Sequence, residues 1–178
     1  GEPPSDNLLA TRINNTLYEP AIPIGRVSAQ SNDEVRDYLN KVKEFEMQEP
    51  AEWMKHIIHF GGGINATEQT TFANYLKIYE QIIEDTLTGS VVSTFLKNSS
   101  DPIQITQTDS VKKLINGGVS LMTFFGHAYT GGFDQSIDDP SSFDNYGKFP
   151  LLLANSCYSG NIHLPGRSST SEEWVLTQ

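Results

Sequence analysis

A chain of 178 residues is long enough to bury a substantial core in one domain, so it needs no disulfide or metal staple to fold. Its 22 acidic against 12 basic residues give a net charge of −10, which repels a phosphate backbone and argues against nucleic acid as a partner. The single cysteine excludes an intramolecular disulfide and a cysteine-based zinc site, and no apolar run approaches the roughly 18 residues of a membrane span.

Residues 1–20, rich in Pro, Asn, Ser and Asp, read as an extended, turn-laden entry segment, and residues 21–178 as one domain. Gly1-Glu2-Pro3-Pro4 does not read as a signal peptide. Ala21–Val27 is a short strand candidate whose Pro23 places it at an edge or a strand start. Ser31 or Asn32 caps a helix running to about Glu46. There Val35, Leu39, Val42 and Phe45 recur at spacings of three and four, a face expected to pack on a sheet. Lys55–Phe60 reads as a buried strand stopped by Gly61-Gly62-Gly63. Thr67 is the expected N-cap of the next helix, with Phe72, Tyr75, Leu76, Tyr79, Ile82 and Ile83 along one side. His56 and His59, three apart on a strand, point to opposite faces and are structural rather than joint metal ligands.

Ser90–Leu96 is the next strand, and a short helix from about Asp109 to Ile115 ends at Asn116-Gly117-Gly118. Two apolar runs follow. Val119–Phe125 leads into Gly126-His127, and Phe149–Ala154 leads into Asn155-Ser156-Cys157. Residues 129–148 between them read as a loop or hairpin over the strand ends. Its Asp134, Asp138, Asp139 and Asp144 make a solvated acidic loop, with a bound calcium as the alternative, although the spacing is not that of an EF-hand. Glu172–Leu176 reads as an amphipathic helix interrupted before its end, so both termini look like cuts within a longer protein.

Strands alternating with helices predict an α/β fold with a parallel sheet covered on both faces, in which chemistry collects beyond the carboxyl ends of the strands. Gly61–Gly63, His127 and Cys157 all fall at such ends. The glycine triplet is not followed by the Lys-Ser/Thr of a phosphate cradle. A thiol attacks a carbonyl as thiolate, and an adjacent imidazole is the usual way to favour that form. Neighbouring parallel strands would bring His127 and Cys157 together. The small residues Gly126, Ala128, Ser156, Ser159 and Gly160 leave room for a substrate backbone. His163, close to Cys157 in sequence, is a rival base and a cleft-lining candidate.

The strand ends Gly126-His127 and Asn155-Ser156-Cys157 resemble those of the gingipain family of cysteine peptidases. The likeness extends through Phe133-Asp134, Ile137-Asp138-Asp139-Pro140, Gly147-Lys148-Phe149-Pro150 and Cys157–His163. It is also visible in Pro4-Ser5-Asp6-Asn7 and Ile22–Arg26. These features are most similar to the PorU-type branch, sortase-like or signal-peptidase-like proteins associated with type IX secretion in Gram-negative bacteria.

The resemblance implies a caspase-like αβα sandwich with a mostly parallel sheet, truncated where a further helix and strand would follow Trp174. It implies His127 as general acid/base and Cys157 as nucleophile. The oxyanion would meet the N–H groups of Cys157 and Ala128, the latter placing a methyl near the cleft where many relatives have glycine. Glu68 is the best-placed counterpart of the acidic residue that orients the imidazole in some gingipains, although a carboxylate also suits the first turn of a helix. Gly126, Ser156, Tyr158 and His163 are the substrate-binding candidates. No cofactor is required. The expected partners are a polypeptide substrate, with a lean toward basic residues, and components of a secretion system. The expected location is secreted or at the cell surface. The alternative is a catalytically silent domain of the same fold that serves in binding or assembly.

Overall fold

The computed structural model describes residues 6–13, 17–102, 104–105, 108–129, 132–137, 139–163 and 166–177. Pro4, Ser5 and Asp138, which enter the sequence reading, lie outside the described residues. In chain order the elements are α1 (Asn32–Glu46), β1 (His56–Gly61), α2 (Ala66–Ile83), β2 (Val91–Leu96), β3 (Gln104–Ile105), α3 (Thr108–Gly117), β4 (Leu121–Phe125), β5 (Ala128–Tyr129), β6 (Gly132–Phe133), β7 (Gln135–Ser136), β8 (Leu151–Asn155) and α4 (Thr170–Leu176).

The four longer strands form one parallel sheet in the order β2-β1-β4-β8. Ile57 pairs with Leu121 and Leu121 with Leu151, so β1, β4 and β8 start level and end level. β1 is buried from Ile57 onward, as a β-branched and aromatic run between two partners should be. Residues alternate between faces. Ile58, Phe60, Met122 and Phe124 point to one side and join Val111 and Ile115 of α3, Val119, Ala128 and Phe133 in the main core. Phe143, Leu152 and Trp174 of α4 pack against that cluster. On the opposite face Tyr75 of α2 stacks on Phe125 and Phe72 meets it at a tilt, with ring centroids 5.5 and 5.0 Å away, and Leu76 of α2 is fully buried. The result is the predicted αβα layering, with the two-stranded pairs β3–β7 and β5–β6 as small additions outside the main sheet.

Three local expectations change. Residues 21–27 form no strand; they run as irregular chain with Ile22, Ile24 and Val27 exposed, since Pro23 lacks an N–H and no partner strand lies alongside among the described residues. Helix α1 is capped as read, by a reciprocal Ser31/Glu34 capping box, but none of its residues is buried. It leans on α4 and the aromatic residues Trp53 and Phe149 rather than on the sheet: Lys41 Nζ donates to the Val175 carbonyl at 3.2 Å, and Phe45 meets Trp53 edge-on. Helix α2 starts at Asn65, not Thr67: the Asn65 side chain accepts the Glu68 N–H, which moves Glu68 into the third position of the first turn. Gly118, at φ +104, ends α3 with its N–H on the Leu114 and Ile115 carbonyls, the glycine stop read from the sequence.

Candidate active site

His127 and Cys157 leave adjacent strands in step. Phe125 and Asn155 are paired across β4 and β8, and each candidate residue lies two positions further on. The Gly126 N–H donates to the Asn155 carbonyl at 3.3 Å, which keeps the two exits side by side past the last ladder pair. Cys157 is free and exposed. The chain then turns sharply: the Ser159 N–H donates to the Cys157 carbonyl at 2.8 Å and the Asn161 N–H to the Tyr158 carbonyl at 3.1 Å. Tyr158 takes the left-handed conformation, φ 58, which costs an ordinary L-residue roughly 1–2 kcal/mol. Backbone strain of this kind collects at functional loops, and here it follows the thiol directly.

The imidazole of His127 has a partner from the first turn of α2. Its Nε2 lies 2.9 Å from Glu68 Oε2, with the two side chains 43% and 33% exposed. Glu68 reaches that point because Asn65 caps α2 and because its own Oε2 also accepts the Ile64 N–H at 3.1 Å. The bond to His127, and after it the Ile64 N–H, hold the Glu68 carboxyl below its ordinary value of 4.5. An ionised carboxylate only accepts hydrogen bonds, so the Nε2 facing it carries the proton; in the neutral ring Nδ1 is then left as an acceptor. The Phe72 ring stands edge-on to the imidazole at 6.0 Å.

Beneath the histidine lies a buried ion pair. Lys97 Nζ is 3.4 Å from Asp134 Oδ2, with the side chains 0% and 2% exposed. Asp134 also accepts the Gly63 N–H at 2.8 Å and the His127 N–H at 3.2 Å, while its own N–H donates to the His127 carbonyl at 2.8 Å. Asp134 is therefore not part of a solvated acidic loop, and its charge is already met by lysine. Asp139 caps a short 3-10 turn through Ser141, and among the described residues no group of His, Cys, Asp and Glu is placed to hold a metal ion. Sequence reasoning did not single out Lys97 or assign Asp134 to the site. The available signal was a lysine directly after the apolar strand Val91–Leu96, where a charge can be buried only if paired.

The remaining candidates divide. The missing side chain at Gly126 faces inward: a Cβ there would stand 2.7 Å from Asp134 Oδ1 and 2.9 Å from the Phe124 ring. The Ala128 methyl likewise joins the core with Phe124 and Phe133 instead of facing the cleft. Ala128 opposes Phe133, and the bond from the Asp134 N–H to the His127 carbonyl makes this a non-hydrogen-bonded pair, so the Ala128 N–H points away from β6. The Ser156 hydroxyl is buried without a hydrogen-bond partner among the described residues. Tyr158 and His163 line a cleft of about 670 Å³ together with Asn161, Glu172 and the Asp6–Arg26 ion pair. His163 thus belongs to the wall formed after Cys157, whereas His127 carries the carboxylate partner. His59 is fully buried, with neither ring nitrogen hydrogen-bonded among the described residues, on the opposite side of β1 from exposed His56.

Comparison with known proteins bears on the whole chain. A model described as peptidase family C25 matches residues 1–178. No curated protein matches the chain. Among solved structures the chain is similar to the Arg-specific cysteine proteinase gingipain R, with 16% identity and a TM-score of 0.75, covering 98% of this chain and 40% of that one. It is also similar to the complex of the Porphyromonas gingivalis RgpB pro- and mature domains, with 15% identity and a TM-score of 0.68, covering 98% of this chain and 41% of that one. The chain spans less than half the length of these structures, and at such identities the likeness shows the fold, the sandwich around a parallel sheet.

Proposed function

We propose that this chain, which belongs to peptidase family C25, cleaves or transfers peptide bonds with Cys157 as nucleophile, His127 as general acid/base and Glu68 as the group that orients the imidazole. One observation carries the reading. His127 and Cys157 continue from paired positions on neighbouring parallel strands, and the His127 ring is bound at Nε2 by Glu68, which leaves Nδ1 for the thiol proton.

The thiol proton of Cys157 passes to His127 Nδ1 and the sulfur attacks the scissile carbonyl carbon, forming a tetrahedral oxyanion. The N–H groups of Cys157 and Ala128 are the donors we assign to that oxygen; a single donor of this kind is worth roughly 2.7–4 kcal/mol of barrier. The imidazolium returns its proton to the leaving amine as the C–N bond breaks, giving a thioester. Water or an amine then attacks the thioester and the thiol is regenerated. No step calls on a cofactor.

The motif resemblance extends the proposal to a role in type IX secretion or surface attachment, with polypeptide substrates, secretion-system partners, and a location outside the cell or at the surface of a Gram-negative bacterium. Among the described residues no helix is long and apolar enough to cross a membrane. Cell fractionation checks this part: recovery in the cytoplasm alone overturns it. The catalytic assignment is tested by Cys157→Ala, which is expected to abolish peptidase activity. Full activity in that variant contradicts it, and a wild-type protein that neither cleaves peptides nor takes a thiol-directed inhibitor points to the silent binding domain instead.

A further inference from the structure

We infer that Asp134, with Lys97 behind it, is a positioning residue for the catalytic pair: one buried carboxylate holds both the His127 backbone and the loop that delivers Glu68. The catalytic consequence rests on the dyad reading above. The Asp134 carboxylate takes donors from three strand exits, Gly63 after β1, His127 after β4 and Lys97 after β2. The main chain of Asp134 adds the bond to the His127 carbonyl, so both backbone polar groups of His127 end on this one residue.

Gly63 is directly followed by Ile64, whose N–H binds the Glu68 carboxylate, and the Gly63 carbonyl is held by Gln69 Nε2 at 3.1 Å. The position of the histidine and that of its carboxylate partner are therefore referred to the same buried atoms. The glycines on either side agree. A Cβ at Gly62 would stand 2.1 Å from Asp134 Oδ1, and one at Gly126 2.7 Å, so the two backbones close directly on the carboxylate.

A buried ion pair adds little net stability compared with an apolar pair of similar size, so its presence directs attention to what its geometry holds in place. Without the carboxylate, the His127 N–H and Gly63 N–H both lose their acceptor inside the protein. Asparagine cannot replace it, because the amide offers a carbonyl to one N–H and a donor NH2 to the other.

The test uses Asp134→Asn and the charge-balanced pair Asp134→Asn/Lys97→Met, with His127→Ala as control. Two quantities are read: amide hydrogen exchange, and the rate at which a peptidyl chloromethyl ketone labels Cys157. The expected result is faster exchange at His127 and Gly63, unchanged exchange at Phe60 and Met122, and labelling slowed by about ten- to a hundred-fold, the scale of a misplacement near 1 Å. Exchange that rises uniformly through the core, or failure of both variants to fold, makes the pair a stability element and overturns the inference. Local loss of protection with labelling at the wild-type rate overturns it as well. If His127→Ala itself labels at the wild-type rate, the dyad reading is what has failed, and the exchange data alone then report on the clamp.

Discussion

Glu68 and His127 lie 59 residues apart in the chain, and Oε2 of one meets Nε2 of the other at 2.9 Å. That contact exists because the cap at Asn65 sets the first turn of α2 beside the exit of β4. It assigns the ring a tautomer and leaves Nδ1 as the acceptor, the nitrogen to which the proposed mechanism gives the thiol proton.

Replacing Glu68 by Gln removes the charge while keeping the size. Turnover of a peptide substrate is expected to fall roughly tenfold at neutral pH with KM little changed, the signature of a group acting through another rather than on the substrate. The sign of the pH dependence follows from the lowered Glu68 carboxyl. The contact is complete above the unperturbed 4.5 and is lost only as pH falls through the lower folded value, so Glu68 stays ionised throughout pH 6 to 8 and the deficit of Glu68→Gln is expected across that whole range. Turnover by Glu68→Gln at the wild-type rate anywhere between pH 6 and 8 contradicts this.

His59 makes acid stability measurable. Burial holds it below its ordinary 6.5, against smaller opposing effects from Glu80 and Glu84. The unfolded chain then takes up a proton below about pH 6.5 that the folded one refuses, so the stability held above that pH drains away as pH falls toward the folded value. Thermal unfolding from pH 8 to 5.5 is expected to show a falling Tm, and His59→Leu a flatter dependence. Equal slopes in the two proteins contradict it.

Glycine positions should separate sharply. Gly62→Ala forces a methyl to 2.1 Å from a buried carboxylate oxygen and is expected to lower soluble yield or Tm markedly, whereas Gly25→Ala, with nothing within 4 Å, is expected to be silent. Circular-dichroism melts of the two variants decide.

The core has its own contrast. Phe124 is fully buried with its ring 4.1 Å from that of Phe133, and Phe124→Ala is expected to cost about 3–5 kcal/mol in urea unfolding. Leu151, 68% exposed on β8, is expected to cost less than about 0.5 kcal/mol when replaced by Ala.

What could be read from sequence was whatever depends on local period and on strand ends. The apolar runs of β1, β4 and β8, the glycine stop at Gly118 and the juxtaposition of the His127 and Cys157 exits follow from patterns a few residues long combined with the logic of a parallel sheet. Features set by distant partners were not visible. Lys97 and Asp134 are 37 residues apart and look like ordinary surface charges until the fold buries them together. The inward turn of the Ala128 methyl depends on a hairpin of two-residue strands, too short to carry a period. Residues 21–27 have strand composition but, among the described residues, no neighbour to pair with, and strand formation is a property of the pair. The displaced cap at Asn65 shows the usual competition between polar residues near a helix start, here Asn65 and Thr67, decided by which one reaches the Glu68 N–H.

The central claim is that Cys157 is a nucleophile that depends on His127. Mass spectrometry after exposure to a peptidyl chloromethyl ketone tests it directly. Modification is expected at Cys157 in the wild-type protein, lost in His127→Ala and slowed in Glu68→Gln. Labelling of Cys157 at the same rate in all three proteins would contradict it.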